Sequence, residues 1–269
     1  MLSSAEFLDS YVGIGEKKAG ATTLKLLLLG ILSGFAIGMG AAVTSAATFA
    51  IDNPSAAKII SGTLFPLGLI MVLFTGAELF TGNCLMTISL LERRIRLNGM
   101  LRNLIIVYFG NFVGSILLAA AIVYCAGPGM ATGLVVKTVS VAAAKCTLPF
   151  GKAVILGILC NILVCIAVMM ALCSKDAVGR AVGAFGPICC FVICGFEHCV
   201  ANMYYIPAGL LTMNIPACAQ AAAAAGLDTT ALTWGNFFLH NLLPVTIGNI
   251  LGGCGFAALL WAANRKPRA

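Results

Sequence analysis

The chain has 269 residues, of which 61% are apolar and 9% charged, with a formal net charge of +7. Soluble domains carry roughly a quarter charged residues, so this composition excludes an ordinary soluble protein and predicts an integral membrane protein. The basic excess does not point to nucleic acid, because most of it sits in short loops and at the chain ends, where it reports membrane orientation.

Residues 1–23 are mixed, with Glu6, Asp9, Glu16, Lys17 and Lys18. They lack the basic start, continuous apolar core and small-residue cleavage site of a secretory signal. They read as a cytoplasmic amphipathic segment, with Ala5, Leu8 and Val12 at helical spacing. The membrane domain follows at 24–264. Its first span runs over about 24–51 and ends at Asp52, Asn53 and Pro54. The next apolar stretch, 57–91, exceeds the roughly 20 residues that one crossing needs. With Pro66, Gly68, Gly76 and Gly82 inside it, it predicts two half-helices around a non-helical segment that must line protein or water. A basic loop with Arg93, Arg94, Arg96 and Arg102 leads to the third span, about 104–125. A long, moderately polar connection, 127–150, carries Lys137 and Lys145. The fourth span covers about 153–173. The fifth stretch, 181–213, is again too long for one crossing and holds Pro187, Gly195 and Pro207. The last span covers about 237–262, and a basic cytoplasmic tail, 265–269, carries Arg265, Lys266 and Arg268. Six spans put both termini on one side, and the Lys/Arg bias puts that side in the cytoplasm.

The chain repeats itself. Lys25 with Leu29-Gly30-Ile31-Leu32 returns as Lys152 with Leu156-Gly157-Ile158-Leu159, and Gly110-Asn111 with Gly114 returns as Gly248-Asn249 with Gly252. Gly76, Glu78 and Asn83 return as Gly195, Glu197 and Asn202, 119 residues on. Every span thus has a counterpart three later. Repeat halves of about 24–126 and 151–264, with three spans each, have opposite orientations, an architecture of transporters. The expected fold is an all-α membrane protein with an inverted 3+3 repeat and broken second and fifth helices.

His198, beside Glu197 at the second break, is the first candidate for function, because ionisable groups at membrane depth face cavities or permeation paths. In the earlier copy Leu79 holds its position. Glu78 and Glu197 either line a pore or accept backbone N–H bonds freed by the breaks. Their equivalence in the two copies favours the second role, with Asn83 and Asn202 in similar work. Thr81 either faces His198 or bonds back to its own helix. Asn161, inside the fourth span, needs a partner. Lys145 and Lys18 either snorkel or gather anions at the two mouths. Gly110, Gly114, Gly248 and Gly252 fit close helix contact. His240 has no repeated break around it. The twelve cysteines lie largely in spans, where a thiol behaves as a small hydrophobe. With no paired CxxC or histidine pair, no metal and no cofactor are expected. No nucleophile and base with a third supporting group suggests an enzyme.

The run Gly195-Phe196-Glu197-His198-Cys199-Val200-Ala201-Asn202-Met203, with Glu78-Leu79-Phe80-Thr81 and the two Gly-Asn motifs, resembles the formate/nitrite transporter family, which includes hydrosulfide channels. The resemblance spans all six segments. It implies an aquaporin-like protomer in a homopentamer, with one anion pore per protomer and lipid around it. It implies that His198 is the central pore histidine with Asn161 beside it, and that Thr81 rides on the second-span loop. Leu69 and Phe191 are implied as the cytoplasmic and periplasmic apolar constrictions, and Lys145 and Lys18 as the outer and inner vestibule lysines. The function expected is pH-dependent passage of a small monovalent anion (formate, nitrite or hydrosulfide), with a proton, across the cytoplasmic membrane. The competing class is a neutral-solute channel for water, glycerol or ammonia, but neither break carries the Asn-Pro-Ala of aquaporins. An ion-coupled organic transporter would need more polar residues in the spans.

Overall fold

The computed structural model describes residues 1–126 and 130–264; the tail at 265–269, with Arg265, Lys266 and Arg268, and the start of the 127–150 connection lie outside them. All regular structure in the described residues is helical. Helix α1 (Ser4–Gly20) is followed by α2 (Thr23–Thr48), the first span. The second span is α3 (Pro54–Leu64) joined to α4 (Pro66–Thr75); after a break, α5 (Phe80–Leu91) completes it. The third is α6 (Leu97–Ala121), prolonged by a π-helical turn at Ile122–Ala126. Helix α7 (Thr132–Cys146) precedes α8 (Phe150–Cys173), the fourth span. The fifth is α9 (Ala177–Cys194) and, after its break, α10 (Cys199–Met213). A short α11 (Pro216–Ala224) leads to α12 (Trp234–Asn264), the sixth. Six of these segments are long and apolar enough to cross a membrane. Their outward faces carry rows such as Leu24, Leu28, Leu32 and Phe35 on α2 and Ile105 and Phe109 on α6, surfaces that require lipid or an apolar neighbour.

The inverted repeat and both broken spans are present. Helix α2 packs along α6, and α8 along α12. These pairs run unusually close: a methyl group on Gly34 or Gly114 would overlap the backbone of the facing helix at Asn111 or Ile31, and one on Gly248 or Gly252 that at Val154 or Ile158. The halves interlock at the breaks, where α10 lies against α2 and α6, and α5 against α8 and α12.

Two expectations change. The connection at 127–150 is mostly helical: in α7, Val135, Val139, Ala142, Ala143 and Cys146 form a buried stripe at helical spacing. Its 15 residues are too few to span, and its lysines disguised the stripe as loop. Helix α7 takes the place in the second half that α1 takes in the first. In α1 the buried face is Phe7, Leu8, Tyr11 and Gly15, while Ala5 is exposed. The helix lies on the membrane domain, with the Leu2 N–H on the Cys173 carbonyl and the Ser89 hydroxyl against the carbonyls of Tyr11 and Val12.

Candidate functional site

Helix α4 stops at Gly76 and α9 at Gly195, with φ of +67° and +73°. An added Cβ would meet nothing within 4 Å at either glycine. The requirement is therefore conformational: a left-handed C-cap that residues with side chains adopt at a cost. The three residues after each glycine are non-helical, and at membrane depth their backbone groups need partners within the protein. The Glu78 N–H donates to the Leu29 carbonyl at 3.2 Å. Asn111 Nδ2 donates to the Glu78 carbonyl at 2.9 Å, and Asn111 Oδ1 accepts from the Phe80 N–H at 3.0 Å. The second break repeats this: Glu197 N–H to the Leu156 carbonyl, Asn249 Nδ2 to the Glu197 carbonyl, and Cys199 N–H to Asn249 Oδ1. The asparagines of the two Gly-Asn motifs, to which the sequence assigned no work, clamp both breaks.

The glutamate side chains do something else. Among the described residues neither carboxylate accepts a backbone N–H, contrary to expectation, because Asn111 and Asn249 already take the Phe80 and Cys199 N–H groups. Lys18 Nζ donates to Glu78 Oε2 at 2.7 Å and to Asn83 Oδ1 at 2.9 Å. Asn83 Nδ2 donates to Glu78 and to Asn103 Oδ1, and Asn103 Nδ2 reaches the Lys18 carbonyl. In the second half Lys145 Nζ donates to both Glu197 oxygens at 2.8 and 2.9 Å. Asn202 Nδ2 donates to Glu197 and Asn241 Oδ1, and Asn241 Nδ2 to the Lys145 carbonyl. Each lysine is thus ion-paired with a glutamate, so neither stands as an isolated charge and neither glutamate presents a bare negative charge. Asn103 and Asn241 were missed, although each precedes its Gly-Asn asparagine by eight residues.

His198 breaks the symmetry. It is the N-cap of α10, and its Nδ1 accepts the Ala201 N–H at 3.2 Å. That bond occupies the Nδ1 lone pair, so the ring proton sits on Nε2 and the ring is neutral. Nε2 lies 2.8 Å from Thr81 Oγ1, both side chains being buried, and so donates to it. The Thr81 hydroxyl proton is left free.

Three cavities lie in sequence around this pair. One, of about 290 Å³, opens opposite the N-terminal helix and is lined by Lys145, Glu197, Phe191, Phe65 and His198 among others. One of about 170 Å³ opens beside α1, lined by Tyr11, Lys18, Asn83, Leu69 and Leu79. Between them is a chamber of about 10 Å³ walled by Ile37, Phe65, Leu69, Leu79, Val164, Ile188, Phe191 and His198. It has room for about one water. Phe65 meets Phe191 edge-on, ring centres 5.6 Å apart, so one barrier is a pair of rings, and Leu69 and Leu79 make the other. The family resemblance implied Leu69 and Phe191; Phe65 and Leu79 line the chamber with them. Asn161 is not brought to the chamber. It is buried, donates to the Asn249 carbonyl at 2.6 Å, and lines none of the three cavities; Thr81 lines none of them either and reaches the chamber only through the His198 ring. His240 is exposed. Among the described residues no three His, Cys, Asp or Glu side chains converge as a metal site requires.

The family model described as Formate/nitrite transporter matches residues 5–263. The chain is 34% identical to a protein named Probable formate transporter from Methanothermobacter thermautotrophicus, over 96% of this chain and 95% of that one. It is 41% identical to the Formate channel FocA of Haemophilus influenzae over 73% and 70% of the two chains. A solved structure titled "Pentameric formate channel with formate bound" superposes with a TM-score of 0.80 at 32% identity, covering 92% of this chain and 98% of that one. Two broken spans meeting at a buried histidine between two vestibules, in a sequence matched from end to end of its membrane domain, make this chain a member of the formate/nitrite transporter family.

Proposed function

We propose that this protein is a pH-dependent channel for the anions of small weak acids, formate first among them, in the cytoplasmic membrane, with both termini in the cytoplasm and five copies per assembly. The reading is carried by one observation: a buried histidine, backed by the Thr81 hydroxyl, lines a chamber whose other walls are apolar side chains. Relatives named as formate channels, and a neighbour titled pentameric, support the substrate and the assembly. Nitrite and hydrosulfide share the relevant chemistry, a small monovalent conjugate base.

A bare anion pays heavily to enter such a chamber, a neutral acid far less. Thr81, its oxygen held by His198, keeps an O–H to offer a solute that reaches the ring. His198 does not give the proton. Its single N–H is on Nε2, and losing it would leave an imidazolate in apolar surroundings. Its second nitrogen is engaged with the Ala201 N–H. The proton that neutralises the anion comes from water in a vestibule, and His198 positions the solute through Thr81. Flux then rises as pH falls toward the acid's own range. The paired lysines cancel Glu78 and Glu197, which would otherwise repel the anion.

The test is flux of formate, nitrite and hydrosulfide into proteoliposomes across pH, for wild type and His198→Phe. Wild-type flux that rises with acidity and vanishes in an assembled variant supports the reading. Glycerol-driven swelling with no anion flux overturns it in favour of a neutral-solute channel.

A further inference from the structure

The vestibule opposite the N terminus contains a second lysine. Lys137, Val141 and Lys145 follow one another at four-residue intervals along one face of α7, and all three line the cavity of about 290 Å³. Lys145 is held by Glu197. Half-buried Lys137 has no carboxylate within ion-pair distance among the described residues. Ser45 and Ser61 line the same cavity, and among the described residues neither hydroxyl is used in a hydrogen bond. The other hydroxyls there are committed. Thr44 donates to the Ala41 carbonyl, so Tyr205 must donate to Thr44, and Thr48 donates to the Thr44 carbonyl. The opposite vestibule has one lysine, Lys18, bound to Glu78 and Asn83.

We infer that Lys137, with the Ser45 and Ser61 hydroxyls, forms a station for a small monovalent oxyanion at one mouth, and that the mouth beside α1 has no equivalent. The inference rests on the anion-channel reading and makes the channel functionally one-sided. An uncompensated positive charge in a low-dielectric cleft raises the local concentration of anions, and two hydroxyl donors fit a carboxylate or similar group. A passive pathway must keep the ratio of maximal rate to half-saturating concentration equal from its two faces. A station on one side therefore shows as tighter half-saturation from that side. It does not rectify flux at low concentration.

Formate uptake is measured in intact cells and in inside-out vesicles, with the sidedness of the N terminus fixed by tag accessibility. In wild type, half-saturation is tighter from the face opposite the N terminus. Lys137→Gln weakens it there by about threefold to tenfold at low ionic strength and changes it little from the other face. Lys137→Arg retains it. At about 1 M salt of an impermeant anion, with a screening length of about 3 Å, the difference between wild type and Lys137→Gln closes. A surface lysine without function leaves half-saturation unchanged in Lys137→Gln, and a purely structural one weakens it equally from both faces and at all salt concentrations; either outcome overturns the inference while the anion reading stands. Absence of formate flux in wild type overturns both.

Discussion

Thr81 Oγ1 and His198 Nε2 stand 2.8 Å apart across 117 residues of chain, and the other ring nitrogen caps the helix that His198 begins. The histidine therefore has two separable duties. In His198→Asn the amide oxygen still serves as an N-cap, whereas His198→Phe loses the cap, worth about 1 kcal/mol. Thermal unfolding in detergent should rank wild type and His198→Asn above His198→Phe. Formate flux should be lost in both variants, because Phe has no donor and the shorter Asn amide stops short of the position from which Nε2 reaches Thr81.

Thr81 is the acceptor for that ring. Thr81→Val leaves the Nε2 proton buried without a partner, a penalty of about 1–3 kcal/mol, and removes the hydroxyl that holds the ring. Flux through this variant should fall by roughly tenfold or more, whereas Thr81→Ser keeps most of it. Stopped-flow proteoliposome assays distinguish the two, and wild-type flux in Thr81→Val excludes the hydroxyl from the pathway.

Lys145 and Glu197 are 16% and 8% exposed as side chains. Truncating one member of a buried pair strands the other's charge, at about 3–5 kcal/mol. Lys145→Met should be strongly destabilised and should repel anions from its vestibule. Lys145→Met/Glu197→Gln should recover much of the stability, giving a large coupling in a double-mutant cycle. Additive losses would mean that the pair is not coupled in the folded protein.

The two helix pairs solve one close approach in mirror fashion. In the first half Ser115 donates to the Gly34 carbonyl at 3.1 Å. In the second, Asn161 reaches across to the Asn249 carbonyl, and Gly253 leaves room for its amide. Gly253→Ala should displace Asn161 and cost about 1–3 kcal/mol. Adding Asn161→Gly, which empties the contested space, should return part of that loss in unfolding measurements.

The start of α1 has its own pH dependence. The Ser3 backbone N–H and then its hydroxyl bond to the Glu6 carboxylate and hold it below its ordinary 4.5. A lowered value in the folded state means that the ionised form stabilises the first turn. That stabilisation is complete above the ordinary range and is lost as pH falls through the lowered value. Protection of the α1 amides, taken relative to the intrinsic exchange rate at each pH, should fall on acidification in wild type. In Glu6→Ala protection should be low already at neutral pH, with no further acid step from this residue.

The fold was largely legible because a membrane makes length and hydropathy decisive, and because the breaks announce themselves through paired Gly, Glu and Asn residues. What stayed hidden depended on partners brought from afar. Nothing near Lys18 or Lys145 in sequence says that Glu78 or Glu197 will bind it, so both lysines read as free charge. Helix α7 was obscured because its stripe is shorter than a span and its lysines point into a vestibule. Asn161 was placed near the pore by resemblance, and its bond to Asn249 is visible only in the packed helices. Phe65 and Leu79 are two apolar residues among many until the chamber gathers them.

The one-water chamber between the paired rings and the paired leucines bears on the cell's energy supply. Protons move fast through proteins along unbroken files of hydrogen-bonded water. A compartment that holds a single molecule, with hydrocarbon on both sides, interrupts any such file. If the solute crosses as the neutral acid, a proton passes only in its company, and free protons find no route of their own through this conformation.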